Sequence, residues 1–98
     1  MPRLASFEGM GIVMHGHDVG QPHVHVYHQD RSAAVAISSG AVVDGALPAH
    51  QARLVTAWVG ENREALLANW DSAKAGHPLE RLPALSRGAI QATTGIAR

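Results

Sequence analysis

The chain has 98 residues and a mass of 10.3 kDa, with 46% hydrophobic residues, a formal net charge of +0 and no cysteine. This length suits one domain, and the composition is that of a folding chain, not a disordered one. The balanced charge argues against a strongly basic nucleic-acid binder, and the lack of cysteine excludes disulfides, thiol catalysis and cysteine-ligated metal sites.

The sequence contains no targeting segment that we recognise. Its apolar runs are all shorter than the ~18 residues that a membrane-spanning helix needs. The first ten residues, MPRLASFEGM, lack the long apolar region of a secretory signal. We therefore expect a cytoplasmic protein.

The first half of the chain predicts β-strands. Residues 1–9 are interpreted as a short lead-in, and residues 10–15 as a first strand. Residues 23–28 predict the clearest strand, because two valines alternate there with two histidines and a tyrosine. Alternation over residues 33–37 predicts a third strand, and residues 41–43 a short fourth. We expect an antiparallel sheet of three or four strands with one buried face.

The second half predicts two helices. The first starts at Pro48 and ends at Gly60; the second is capped by Asn62 and ends at Gly76. Because the apolar residues of each helix form one stripe, both are expected to pack on the same face of the sheet, giving an α+β fold. The predicted core consists of Val24, Val26, Val35, Ile37, Val55, Trp58, Leu66 and Trp70.

Two other features of the second half can be interpreted. Asn69 lies within a predicted helix, where asparagine is a mediocre helix former, so we expect its side chain to make a hydrogen bond. Arg63 and Glu64 are most simply solvated.

Residues 1–82 are predicted to form a single domain. Residues 83–98, rich in Ala, Gly, Ser and Thr, are predicted to form a tail that is flexible or ordered by a partner.

Histidines are concentrated in one segment: the chain has seven, and five of them lie within residues 15–28. His23 and His25 share one face of their strand, about 6.5–7 Å apart, and two such imidazoles can hold a zinc, nickel or iron ion. The candidates for further ligands are His15, His17, Asp18 and His28.

Three other interpretations of these histidines stay open. They can simply be polar residues on an exposed face of the sheet. They can act as a general acid and base on a phosphodiester, as in a metal-independent ribonuclease. The segment HVHVYH is also similar to the motif of the histidine-triad nucleotide hydrolases, although Tyr27 stands where that motif has its third histidine.

The sequence as a whole resembles a family of small bacterial proteins that carries a domain-of-unknown-function label. The segments MPRLASFEG, DVGQPHVHVYHQD, SGAVVDGALP and REALLANWDSAKAG carry this resemblance, which covers roughly residues 1–82. The family is commonly regarded as the toxin half of a type II toxin–antitoxin module. The resemblance therefore implies a toxin that a small cognate antitoxin neutralises.

The chain departs from the family pattern at three positions. Val19 replaces a histidine, Gln21 replaces the first of two prolines, and Val24 replaces a phenylalanine. A metal site that used the replaced histidine would here need His15 or His17 instead.

From these observations we expect a toxin that inhibits growth through translation or RNA, with RNA or the ribosome as its target and no membrane partner. The expected site consists of His23, His25, Tyr27 and Asp18. The alternatives are a non-catalytic protein-binding module and a metal-dependent hydrolase that uses the histidine strand. Whether the chain is an enzyme stays open. No cofactor is firmly implied, and a divalent metal is the one candidate.

Overall fold

Five strands precede two helices in the computed structural model, which describes residues 3–16 and 18–94. The elements are β1 (Arg3–Phe7), β2 (Met10–Val13), β3 (His23–His28), β4 (Arg31–Ala36), β5 (Val42–Gly45), α1 (Ala49–Lys74) and α2 (Arg87–Thr94). Each strand pairs antiparallel with the next, so the order across the sheet is β1-β2-β3-β4-β5. The α+β class is confirmed, but the prediction of three or four strands is wrong.

The additional strand is β1, in the segment that was interpreted as a lead-in. It forms a hairpin with β2 in which Phe7 pairs with Met10. The two residues between them, Glu8 and Gly9, have φ angles of 50° and 77°. Positive φ at both central residues is what a tight type I′ hairpin turn requires. Glu8 and Gly9 therefore form the turn between β1 and β2, and the segment interpreted as a lead-in contains a strand.

The two predicted helices at 48–60 and 62–76 are the two halves of α1. The helix continues through Gly60, and the interruption lies at Asn62, whose φ of −123° and ψ of 18° are not helical. The Asn62 side chain donates a hydrogen bond to the carbonyl oxygen of Trp58 at 2.9 Å. Pro48, predicted as the start of the helix, is the N-cap residue just before Ala49, and the chain leaves the helix near Gly76, as predicted, with a φ of 77° at that glycine.

The hydrophobic core contains side chains from the sheet and from α1. Trp58 is its largest fully buried side chain, and its ring lies 5.9 Å from the ring of Phe7, measured between centroids. Every residue that was predicted for the core is buried. The core cluster also includes Leu4, Met10, Ile12, Met14, Leu54, Val59 and Leu85, among others.

The segment that follows α1 returns across the molecule to the first strand. The backbone N–H of Leu82 donates to the carbonyl oxygen of Leu4 at 2.8 Å, and the indole N–H of Trp58 donates to that of Pro83 at 2.8 Å. Leu85 is buried. The division into a domain at 1–82 and a tail at 83–98 stays a prediction, and residues 95–98 lie outside the described residues. Within the described ranges, neither helix combines the length and the apolarity that crossing a membrane needs.

Candidate functional site

The loop between β2 and β3 places one carboxylate beside two histidines of β3. The Asp18 Oδ2 atom lies 2.8 Å from Nε2 of His25 and 3.3 Å from Nε2 of His23. These three side chains are between 18% and 27% exposed, so each is mostly buried but still accessible to solvent. Three of the four predicted site residues therefore meet at one point.

The period of the strand explains why the two histidines face the same way. Val24 and Val26 are fully buried, and His23 and His25 alternate with them on the opposite face. Asp18 reaches that face because its loop turns back, with its own N–H donating to the carbonyl oxygen of His15 at 3.3 Å.

His15 is the fourth member of this group. Its ring lies edge-on to that of His25, with 4.5 Å between centroids. One ring nitrogen of His15, one carboxylate oxygen of Asp18 and one ring nitrogen of His25 lie within 4.8 Å of one another, a spacing at which they could hold one metal ion. We refer to His15, Asp18, His23 and His25 as the Asp–His cluster.

The charge of Asp18 is set by opposing effects. Partial burial raises the pKa of its carboxyl group, but the hydrogen bond with His25 and the positive potential of the His25, His23 and His15 rings outweigh burial and lower the pKa below its ordinary value. Asp18 is therefore ionised near neutral pH and only accepts hydrogen bonds.

An ionised Asp18 determines which ring nitrogens carry protons. His25 donates from Nε2 to the carboxylate, which leaves its Nδ1 as the atom that exchanges protons with its surroundings. His23 donates from Nδ1 to the carbonyl oxygen of Gln21 at 2.8 Å, so its Nε2 can donate to Asp18, 3.3 Å away, when the ring carries a second proton.

The C-terminal end of α1 lies against this group. The ring of His23 is 5.3 Å from that of Trp70, and the Lys74 Nζ atom is 4.5 Å from the centre of the Trp70 ring. Gly16 approaches so closely that a Cβ atom there would lie 2.9 Å from the carbonyl oxygen of Ala73. The sequence did not predict the close approach of Gly16 to α1 or the contact between His23 and Trp70. Helical periodicity predicts that Trp70 is buried, but it does not identify the ring that Trp70 contacts.

Tyr27, the fourth predicted site residue, lies further along the same strand. Its side chain is 45% exposed and lines a cavity of about 470 Å³ together with Arg3, Gly11 and Gln29. The structure thus places Tyr27 on the expected face but beside a different cavity from the one next to His25, which His25 shares with Ser32 and Asp44.

The other histidines that the sequence suggested as ligands are His17 and His28. The His28 Nδ1 atom lies 3.1 Å from the carbonyl oxygen of Gly9, at the far end of β3 from Asp18. His17 lies outside the described residues. Val19, which stands where the family pattern has histidine, is 83% exposed, so its side chain points into solvent and away from Asp18's contacts.

Comparisons with known proteins identify the family. Searches of the curated proteins and of the solved structures each find no significant match. One family model, described as Domain of unknown function (DUF4160), matches residues 9–71, a range that spans more than half of the chain and includes the whole Asp–His cluster. The chain therefore belongs to this family of proteins with a domain of unknown function.

Proposed function

We propose that this protein is the toxin component of a bacterial type II toxin–antitoxin module and that it inhibits growth through the Asp–His cluster. The resemblance of the segments around the histidine strand and the second half of α1 supports the toxin assignment. One observation supports the choice of site: the Asp18 Oδ2 atom contacts the Nε2 atoms of both His23 and His25.

The chemistry of this contact suits proton transfer on an RNA backbone. A carboxylate that accepts from one nitrogen of an imidazole holds the ring in place and stabilises its protonated form, as in other Asp–His pairs. His25 is held in this way, and its second nitrogen can take a proton from a ribose hydroxyl. That oxygen then bonds to phosphorus as the bond between phosphorus and the leaving oxygen breaks, and the leaving oxygen takes a proton from the protonated form of His23. Interference with RNA or translation is therefore the mode of inhibition that we propose.

The proposed antitoxin partner has a strand edge available to it. β5 is the last strand of the sheet, and among its side chains Val43 is 57% exposed. The outer edge of such a strand offers backbone N–H and C=O groups to an extended segment of another chain. We propose that the cognate antitoxin binds at this edge, close to the small cavity that His25 shares with Asp44.

Growth after induction tests the toxin assignment and the site together. Expression of the wild-type chain without an antitoxin should stop growth, and the double variant His23→Ala/His25→Ala should not. His28→Ala is the matched control, because His28 belongs to the same strand but contacts Gly9 and not Asp18. Immunoblots and thermal melts must show equal amounts of folded protein.

Two results would contradict the proposal at different points. If the wild-type chain does not slow growth, the toxin assignment fails, and a non-catalytic binding module becomes the better interpretation. If a folded double variant arrests growth as strongly as the wild type, the toxin assignment survives but the Asp–His cluster is not its site.

A further inference from the structure

We propose that the Asp–His cluster binds one divalent transition-metal ion of the zinc type, with His15, Asp18 and His25 as its protein ligands. The donor atoms of these residues come from β3 and from the loop that precedes it. They lie within 4.8 Å of one another without an ion between them.

The donor set selects the class of ion. Two imidazole nitrogens and one carboxylate oxygen suit zinc, iron(II) and related ions, whereas magnesium and calcium prefer sites made of oxygen atoms alone. Three protein ligands also leave at least one position for water or a substrate, which is the arrangement of catalytic metal sites.

The distances fit a site that needs only side-chain adjustment. Ligands bound at about 2.0–2.1 Å in a tetrahedron lie about 3.3 Å apart. The three donor atoms, at most 4.8 Å apart, need to move by no more than about 1.5 Å relative to one another. Rotation about side-chain bonds provides movements of this size.

In the metal-free protein, the proton that His25 shares with Asp18 lies where the ion would bind. Their 2.8 Å separation is that of a hydrogen bond and is shorter than the edge of a metal tetrahedron. When the ion binds Nε2 of a neutral His25, the proton on that nitrogen leaves to solvent and Nδ1 takes up another. The ring stays neutral, and the carboxylate exchanges a proton donor for the cation. Nδ1 of His25 then carries a proton, so the proton transfer by His25 proposed above belongs to the metal-free protein.

His23 lies beside the three proposed ligands and is not one of them. His23 donates from Nδ1 to the Gln21 carbonyl at 2.8 Å and directs Nε2 to the same carboxylate oxygen, 3.3 Å away. Because the carboxylate only accepts hydrogen bonds, His23 helps to position Asp18 when its ring carries a proton on both nitrogens.

The end of α1 brings groups of both signs near the cluster: its last carbonyl groups, and the Lys74 Nζ atom, which lies 4.5 Å from the centre of the Trp70 ring. The last carbonyl groups of a helix carry partial negative charge, which attracts cations. Gly16, next to His15, lies against the carbonyl oxygen of Ala73 in the last turn of α1. Because a side chain at position 16 would separate these groups, the glycine keeps the loop of the cluster beside the negative end of the helix.

Calorimetric titration of the full chain, after removal of metal by a chelator, tests the site with Zn²⁺ as the probe. We expect one ion per chain with a dissociation constant tighter than about 1 µM. Asp18→Asn and His25→Ala should each weaken binding by about 100-fold or more. His28→Ala and the exposed His77→Ala should bind like the wild type, because neither histidine belongs to the cluster.

A second measurement separates loss of a ligand from loss of the fold. Co²⁺ bound by the wild type should give visible absorption bands, whose intensity reports the coordination geometry. The same bands should be absent from Asp18→Asn, while its circular dichroism stays that of the wild type. Because Asn has the size of Asp and retains a hydrogen-bonding oxygen, this variant should fold.

Two outcomes would overturn the proposal: no stoichiometric binding of Zn²⁺ by the wild type, or binding that Asp18→Asn and His25→Ala leave unchanged. Both are read from purified protein. A failure here therefore leaves the toxin proposal to be decided by growth, and a failure to arrest growth leaves the metal site to be decided by titration.

Discussion

Asp18 and His25 are seven residues apart in the chain, and their side chains are joined by a hydrogen bond of 2.8 Å between Oδ2 and Nε2. Asp18 belongs to a loop, whereas His25 belongs to a strand in the middle of the sheet. The loop is therefore held to the sheet by a polar contact that depends on the charge of Asp18. This contact makes the stability of the protein depend on pH in a definite direction.

Replacement of Asp18 by Asn should lower the free energy of unfolding in metal-free buffer by about 1 kcal/mol or less, since the contact is partly exposed. The folded-state pKa of Asp18 lies below its ordinary value of 3.8. Its stabilisation is thus fully present above the unfolded-state pKa and is lost as the pH falls through the folded-state pKa. Urea denaturation should show a difference between the two proteins at about pH 6 that shrinks toward about pH 3. A difference independent of pH would contradict this origin.

Replacement of Trp70 by Ala should cost about 3–5 kcal/mol of unfolding free energy, because it empties a core position and removes the partner of the His23 ring. Leu67→Ala is the matched control on the same helix: its side chain is 41% exposed, so its removal should cost far less. Chemical denaturation measures both. Equal losses for the two variants would show that this face of α1 does not stabilise the fold as described.

Asn69→Ala should release the segment that follows α1. The Asn69 side chain donates to the carbonyl oxygen of Glu80 at 2.8 Å and accepts from its N–H at 2.9 Å, and Asn69 itself is only 4% exposed. Loss of both bonds should cost about 1–3 kcal/mol. Hydrogen exchange at the amide of residue 80 should accelerate accordingly.

The control for Asn69 is Glu80→Ala. Both hydrogen bonds use the backbone of Glu80, so removal of its side chain should leave the exchange rate of that amide nearly unchanged. If Glu80→Ala accelerates exchange as much as Asn69→Ala does, the side chain of Glu80 and not the paired backbone bonds holds the segment.

These examples show how far the sequence predicts the fold. The alternation of His23 to His28 is a local property of a strand, so its buried and outward faces could be predicted. The hydrogen bonding of Asn69 was expected from its poor fit to a helix interior, but its partner, Glu80, was not. Arg63, interpreted as solvated, donates from Nε to the carbonyl oxygen of Ile37 at 2.8 Å. That partner is distant in the chain, and no local pattern indicates it.

In the Asp–His cluster, too, some positions follow from a local sequence pattern and others depend on contacts with distant residues. The period of two places His23 and His25 together and could be derived from the sequence. The positions of His15 and Asp18 depend on how the loop between β2 and β3 turns back, which is decided by contacts with the end of α1. The sequence therefore named Asp18 as a site residue from the family resemblance, but it could not select His15 over His17 or His28.

Gly16→Ala tests the contact between that loop and α1. A Cβ atom at position 16 would lie 2.9 Å from the backbone oxygen of Ala73, so the loop must shift and the protein should lose stability. Gly60→Ala is the opposite case: it lies inside α1, with no heavy atom within 4 Å of the added Cβ. This change should stabilise the protein by about 0.5–1 kcal/mol. Thermal melts should therefore shift in opposite directions, and shifts of the same sign would contradict the close approach at Gly16.

The order of the elements has a consequence for biosynthesis. All five strands precede α1 in the chain, and each pairs with the strand made just before it. A nascent chain can thus form its hairpins one after another as they leave the ribosome. The helical residues that share the core with Val24 and Val26, including Trp58 and Leu66, follow only afterwards. During that interval the apolar face of the sheet is uncovered, and exposed apolar surface of this kind favours aggregation of a half-synthesised chain.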